Sequence, residues 1–260
     1  MRRFPIPSQA KRIGLARALS KLGYCSRSQA FALIRDGTVR LNGSVAKNPE
    51  APVLVGKDRI EVAGQRIAAA GKIYLMLNKP RGIVTTAADE KGRDTVYSLL
   101  PSSLTWLAPV GRLDRASEGL LLLTNDSVWA AQITDPHSHL DKTYHVYIDT
   151  LADDRLLDRL LQGIETPNGE TLQAKRAARL RSGQKHSWVV IVLDEGKNRQ
   201  IRRMLDALGV QVLRLVRVSI GPLQLGNLPK GAHRALRGEE KAALDKALRQ
   251  AQTQSRQLSS

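Results

Sequence analysis

Val110-Gly111-Arg112-Leu113-Asp114-Arg115-Ala116-Ser117-Glu118-Gly119-Leu120-Leu121-Leu122-Leu123-Thr124-Asn125-Asp126 sets a charged, glycine-bounded turn between two apolar runs. Short apolar runs bounded by turn residues read as buried strands, so the stretch predicts strand, turn, strand, with strands at 107–110 and 120–123. A loop carried between two strands is where a sheet presents a side chain to a cleft. Asp114 sits in that loop. Taken alone it has two readings: a functional carboxylate, or a turn residue bonded to its own backbone.

Working outward, 74–77, 144–148 and 188–193 also read as strands, and 128–133, 155–161 and 199–208 carry helical spacing. The expectation is an α+β fold: a catalytic-sized domain over 72–245, built on a mixed, mainly antiparallel sheet with flanking helices. Residues 246–260, rich in Gln and Ser, are expected to form a disordered tail. A smaller domain precedes it at 11–62. Ile13, Leu15, Ala16, Leu19 and Leu22 form a helical stripe that Gly23 ends, and Ser26-Arg27-Ser28-Gln29 is a capping box opening a second helix up to Asp36-Gly37. Val39-Arg40-Leu41 before Asn42-Gly43 then predicts a hairpin. Ala63-Gly64-Gln65 and Ala68-Ala69-Ala70-Gly71 place a small-residue linker at 63–71.

The 260 residues contain 41 Lys+Arg against 24 Asp+Glu, a net charge of +17, with 42% apolar and 25% charged residues. A folded chain with such an excess points to a polyanionic partner, first of all nucleic acid. The charge is densest at the front: residues 1–70 hold 13 Lys+Arg and 4 Asp+Glu, net +9, and the remainder carries +8. Lys11, Arg12, Arg17, Lys21, Arg27, Arg35 and Arg40 are interspersed through the helices and hairpin, either as a solvated face or as a phosphate-contacting one, and the charge density favours the latter. One cysteine, Cys25, leaves no partner for a disulfide and no cysteine-based metal site, which suits a reducing compartment. No apolar stretch reaches the length of a spanning helix and no secretory segment is evident, so the expected location is cytoplasmic, without membrane contact. The five histidines lack metal-ligand spacing and no glycine-rich phosphate loop occurs, so no metal or cofactor is expected.

Further along, Ile201, Met204, Leu205 and Leu208 fall at helical spacing toward a core, which turns Arg199, Arg202 and Arg203 to another face near a helix start. They form an anion-binding edge or balance Asp194, Glu195 and Asp206. Tyr144, alternating with Val146 and Ile148, is either a core aromatic or a site residue. With only 4% aromatics, a platform stacking several bases in a row is not expected.

Two resemblances bear on these alternatives. Leu19-Ser20-Lys21-Leu22-Gly23-Tyr24-Cys25-Ser26-Arg27, with Ile34-Arg35-Asp36-Gly37 and Val39-Arg40-Leu41-Asn42-Gly43, resembles the RNA-binding module named after the fourth small-subunit ribosomal protein. That implies structured RNA as ligand. Gly111-Arg112-Leu113-Asp114 with Glu118-Gly119-Leu120-Leu121 resembles the active-site motif of the pseudouridine synthases, in the branch that modifies ribosomal RNA and carries a front RNA-binding module. Leu77-Asn78-Lys79-Pro80-Arg81-Gly82, Lys142-Thr143-Tyr144 and Glu195-Gly196-Lys197-Asn198-Arg199-Gln200-Ile201-Arg202-Arg203-Met204 resemble the family's other motifs, in order.

The resemblance implies an isomerase that breaks the bond between uracil and ribose, rotates the base and joins a ring carbon to the sugar, with no cofactor. Asp114 would be the essential carboxylate, Arg202 its basic partner, and Tyr144 the ring stacked on an extruded uracil. Arg112 would hold the RNA backbone, with Lys197, Arg199 and Arg203 as further RNA contacts. Val212-Leu213-Arg214-Leu215-Val216-Arg217-Val218 with Gly221 looks closer to enzymes acting on large-subunit 23S than on small-subunit 16S ribosomal RNA. The protein is expected to act as a monomer. The competing reading is a non-catalytic RNA-binding or ribosome-assembly factor. A helix-turn-helix regulator of DNA is disfavoured by the Asn42-Gly43 hairpin and the lack of a dimer helix.

Overall fold

Ser26 does what its sequence context demands: its hydroxyl accepts from Gln29 N at 3.1 Å, and Gln29 Oε1 accepts from Ser26 N at 2.9 Å. This box opens helix α2 (Arg27–Arg35), which packs on helix α1 (Leu15–Lys21) through Leu15, Ala18, Leu19, Ala30 and Ile34, all fully buried. The computed structural model describes residues 12–86 and 92–257. The chain divides into two units, one running to Ile73 and including Ser103–Ala108, the other comprising Tyr74–Ser102 and the chain from Pro109.

In the front unit, strands β1 (Val39–Leu41) and β2 (Ser44–Val45) flank Asn42-Gly43, both with positive φ, as a two-residue hairpin requires. Strands β3 (Ile60–Val62) and β4 (Gln65–Arg66) complete a sheet in the order β2-β1-β3-β4. The expected linker is corrected here. Ala63-Gly64 is a second hairpin turn, again with two positive φ angles, and Ile67 packs on the front core. Small residues suit a linker and a tight turn equally; the flanking Ile60–Val62 run decides for the turn.

The larger unit is a mixed sheet. Its main strands are β5 (Tyr74–Lys79), β6 (Glu118–Thr124), β7 (Lys142–Ile148), β8 (Arg176–Ser182), β9 (Ser187–Leu193), β10 (Val212–Ile220) and β11 (His233–Ala235), in the order β8-β9-β7-β10-β6-β5-β11. Every pair on this path is antiparallel except β10 with β6. At that parallel pair Gly119 has φ +102°, and a Cβ there would lie 2.2 Å from Arg217 O. Only glycine lets β6 approach so closely.

Helices α3 (Ser127–Thr134), α4 (Asp154–Gln162), α5 (Gln200–Asp206) and α6 (Gly238–Gln257) flank the sheet. Val146, Ile148, Val189, Ile191 and Leu215 pack with Leu160 of α4 and with Ile201, Met204 and Leu205 of α5. Full burial of such a side chain contributes roughly 1.5–3 kcal/mol. A second core joins Met76, Leu120, Leu122 and Ile220 to Trp129, Ile133, Leu244 and Leu248.

The expected disordered tail is therefore corrected as well: α6 runs to Gln257. Leu244 and Leu248, one turn apart, are buried, and Trp129 Nε1 donates to Asp245 at 2.9 Å. At its start Glu240 bridges Arg234 and Arg237 and accepts from Arg237 N. Two leucines at i and i+4 anchor a helix whose remaining composition reads as polar tail. Among the described residues no helix is long and apolar enough to cross a membrane.

Candidate active site

The turn before β6 is fastened from below. Lys79, at the end of β5, is fully buried, and its ammonium donates to the carbonyls of Pro80 and Asp114, both at 3.1 Å, and of Ser117 at 2.9 Å. Burial pushes the Lys79 amine down to about 8, while the charges of Asp114 and Glu118 work against that shift. Thr85 Oγ1 donates to Leu113 O at 2.8 Å, and Gly82 N and Arg115 O bond at 2.8 Å. The backbone of Asp114 is thus stitched to residues 79–85, and its carboxylate stays about a quarter exposed.

That carboxylate does not cap its own turn. Its ionic contact is Arg199 Nη1, at 3.5 Å. Arg199 precedes α5 with φ +49°, an uncommon conformation for a residue with a Cβ and one that clusters at functional sites.

A cleft of about 410 Å³ opens over the turn, lined among others by Arg112, Asp114, Lys142, Tyr144, Lys197, Arg199 and Arg217. Asp114 is the one acidic residue among its described lining residues, against five cations. The volume is that of a site for a small molecule or one extruded base. Tyr144 is half-buried, packed on the α4/α5 core from one side and lining the cleft from the other. Tyr144 is thus at once a core aromatic and part of the cleft wall.

The basic residues sort themselves. Arg202, expected to pair with Asp114, instead donates to Ala116 O at 3.1 Å and Val212 O at 3.3 Å, tying the turn to β10. Its guanidinium is pulled below its usual range, first by burial and then by Arg199, with Asp114 opposing. The direct partner of Asp114 is Arg199, because Arg199 caps the start of α5 beside the turn and Arg202 lies one turn further along the helix. Arg203 pairs with Glu170 and donates to Asn168 at 3.3 Å, outside the cleft lining. Lys197 lines the cleft while pairing with Glu170 and Glu195 at 3.4 and 3.3 Å. Arg112 is exposed at the cleft. On the front unit Arg12, Arg17, Arg27, Arg35 and Arg40 are all exposed; Lys11 lies outside the described residues.

Two residues escaped the sequence reading of the site. Lys79 lay in a recognised motif but was given no role. Arg217, the second arginine of the β10 run, is buried; its Nε donates to Leu120 O at 2.8 Å, and its Nη2 is buried without a hydrogen-bond partner beside the cleft. An arginine flanked by Val216 and Val218 was the available signal. No group of three or more His, Cys, Asp or Glu placed to hold a metal ion occurs among the described residues.

The RNA pseudouridylate synthase family matches residues 73–207, and the S4 domain matches residues 13–60. Ribosomal large subunit pseudouridine synthase B of Bacillus subtilis (strain 168) is 36% identical over 227 residues, covering 87% of this chain and 93% of that protein. Ribosomal large subunit pseudouridine synthase E of Vibrio parahaemolyticus serotype O3:K6 is 33% identical over 225 residues, covering 82% and 91%. A crystal structure of a pseudouridylate synthase superposes with a TM-score of 0.63 at 30% identity, covering 89% of this chain and 99% of that one.

Proposed function

The chain belongs to the RNA pseudouridylate synthase family, and from that membership we propose that it isomerises a uridine of large-subunit ribosomal RNA, flipped out of its helix into the cleft, with Asp114 as the essential carboxylate. The names of the relatives from Bacillus and Vibrio support the choice of RNA. The observation that carries the role of Asp114 is its place as the one carboxylate, against five cations, among the described residues lining the cleft.

In this reading the phosphates flanking the target uridine meet Arg112, Lys197 and Arg217, and the uracil stacks on Tyr144. Flipping costs about a few kcal/mol, which phosphate contacts offset. Asp114 attacks the sugar or the base as the bond from N1 to the ribose breaks. The ring turns, its C5 joins the same sugar carbon, the bond to Asp114 breaks and returns the carboxylate, the C5 proton leaves and N1 gains one, so no electrons are exchanged with a cofactor. Tyr144, over the ring, is placed to relay that proton. Arg199 holds the carboxylate toward the cleft, and Lys79 and Arg202 hold the turn that carries it.

Replacing Asp114 by Asn or Ala is expected to abolish pseudouridine formation while leaving RNA affinity within a few-fold. Chemical mapping of ribosomal RNA from cells with and without the gene should show a missing large-subunit pseudouridine. Product formation by either variant would remove Asp114 from the chemistry. An unchanged map in both subunits would favour a binding or assembly factor.

A further inference from the structure

Tyr144 and Tyr147 stand three residues apart on β7, so their side chains leave opposite faces of the sheet. Tyr144 lines the cleft; Tyr147 belongs to a row on the other face. It lies in register with Trp188 on β9 and with Arg214 on β10, and Trp188 lies in register with Arg181 on β8. The Tyr147 and Trp188 rings stack with centroids 5.0 Å apart and planes at 22°, and His186 meets Tyr147 edge-on at 5.6 Å. The guanidinium carbons of Arg181 and Arg214 lie 5.4 and 5.7 Å from the Trp188 ring centre. None of these five side chains is buried.

Cross-strand aromatic pairs steady a sheet, but the charges around this one exceed that need. From Thr171 to Leu193 the sequence has Lys175, Arg176, Arg179, Arg181 and Lys185 and no acidic residue. Arg181 forms no ion pair among the described residues. Arg214 is held differently, donating from Nε and Nη2 to Glu118 at 2.8 and 3.0 Å, with Lys230 on the same carboxylate at 2.7 Å. Burial works against the Glu118 charge, yet hydrogen bonds from Arg214 and Lys230 keep its carboxyl below the usual range. One guanidinium over the indole is thus pinned and the other is not.

We propose that this face is a second RNA-binding surface, on which one or two unpaired bases stack against Trp188 and Tyr147 while Arg181 and Arg214 hold the adjoining phosphates. Aromatic rings interleaved with arginines are the chemistry that takes unpaired nucleotides, because every base has a π-face and every nucleotide a phosphate. Arg181 yields its place over Trp188 to the base and turns to the phosphate; Arg214, fixed by Glu118, stays. The surface rests on the ribosomal RNA reading only in taking its ligand from the same substrate. Its position on the far face from Tyr144 leaves the cleft free for the target uridine.

The test uses the full chain and a fluorescein-labelled single-stranded RNA of about ten nucleotides, with a duplex of the same sequence as control. Trp188→Ala is expected to weaken single-strand binding by about tenfold and Trp188→Phe by less than about threefold, with duplex binding unchanged. Arg181→Glu, which removes no buried contact, is expected to weaken it by about tenfold and to flatten its salt dependence. Isomerisation of a short stem-loop at saturating concentration should be the same in all three variants. Single-strand affinities of Trp188→Ala and Arg181→Glu within twofold of the native protein would overturn the proposal, as would equal losses on single strand and duplex. Failure of the catalytic reading shows instead as no pseudouridine from the native protein, whatever stands at Trp188.

Discussion

The front unit carries a net charge of +10 and the larger unit +7, and they hold their cations differently. In the front unit Arg12, Arg17, Lys21, Arg27, Arg35 and Arg40 are exposed, and none forms an ion pair among the described residues. In the larger unit Lys175, Lys197, Arg199, Arg203, Arg214, Lys230, Arg234, Arg237 and Lys241 all pair with carboxylates. Paired cations on a rigid sheet position groups; unpaired cations on a small module are available to phosphates, at the expense of salt sensitivity. Net charge alone does not separate these tasks.

The largest expected effect tests the front half of this contrast. Changing Arg17, Arg27, Arg35 and Arg40 together to Ala removes up to four phosphate contacts, so RNA affinity should fall by about a hundredfold or more near 50 mM salt and its salt dependence should flatten by roughly three units of slope. At saturating RNA the turnover number should be unchanged. An unaltered salt slope in a binding titration would break the comparison, because the front cations would then be a solvated face.

In the larger unit the same kind of residue should act on turnover. Arg202→Met frees the Ala116 carbonyl and loosens the turn that carries Asp114, and the expected loss in kcat is about a hundredfold. Arg199→Met, which removes one long contact, should cost about tenfold. Arg202→Lys should rescue little, since one ammonium cannot reproduce the fork that spans Ala116 and Val212. A loss confined to KM in either variant would place that arginine with the RNA contacts.

What the sequence made legible follows from where the constraints are local. The capping box at Ser26, the Asn42-Gly43 turn and the strands read at 74–77, 120–123, 144–148 and 188–193 are written in contiguous residues, and the structure has all of them, with the strands extended to 74–79, 118–124, 142–148 and 187–193. Strand β8 was missed because an edge strand open to solvent, Arg-Ala-Ala-Arg-Leu-Arg-Ser, has no apolar alternation to read. Helix α6 was missed because its two anchoring leucines gain meaning only against Trp129 and Ile133. At the site the sequence named Asp114 and Tyr144. It chose Arg202 over Arg199 because spacing along a helix says which residues share a face and not which of them meets a turn 85 residues away. Lys79 was illegible for a related reason: a buried ammonium satisfied by three carbonyls is a tertiary fact.

That ammonium gives a prediction in pH. In the folded protein burial brings the Lys79 amine from 10.5 down to about 8, so the unfolded chain holds the proton more tightly than the folded one. Its charge opposes folding below pH 8, and the opposition fades as pH rises from about 8 to about 10.5. The stability margin of the native protein over Lys79→Met, from urea unfolding, should therefore widen over that interval. Turnover should move the other way, falling severalfold from pH 7 to 9 as the turn loses one of three donated hydrogen bonds, without a matching change in KM. A margin that narrows with pH would mean the amine stays protonated in the fold.

The smallest effect is expected at Arg203, which separates position in sequence from position in the site. It adjoins Arg202 in the Arg202-Arg203 pair and reads as an RNA contact. Its guanidinium nevertheless lies on Glu170 and Asn168, and it is not among the residues lining the cleft. Glu170 is held below the usual carboxylate range first by its hydrogen bond from Arg203, with a further one from Lys197, and both Arg203 and Glu170 are only half-buried, so the pair is partly screened by solvent and worth little to the fold. Arg203→Ala should leave kcat and RNA affinity within about twofold of the native values, the range expected for a surface substitution away from the reacting groups. The salt slope should not move, because Arg203 lies outside the cleft lining and meets no phosphate in this reading. A loss beyond fivefold in affinity with a flatter slope would show that RNA takes Arg203 from Glu170, and a carboxylate partner would then not keep a cation from phosphates.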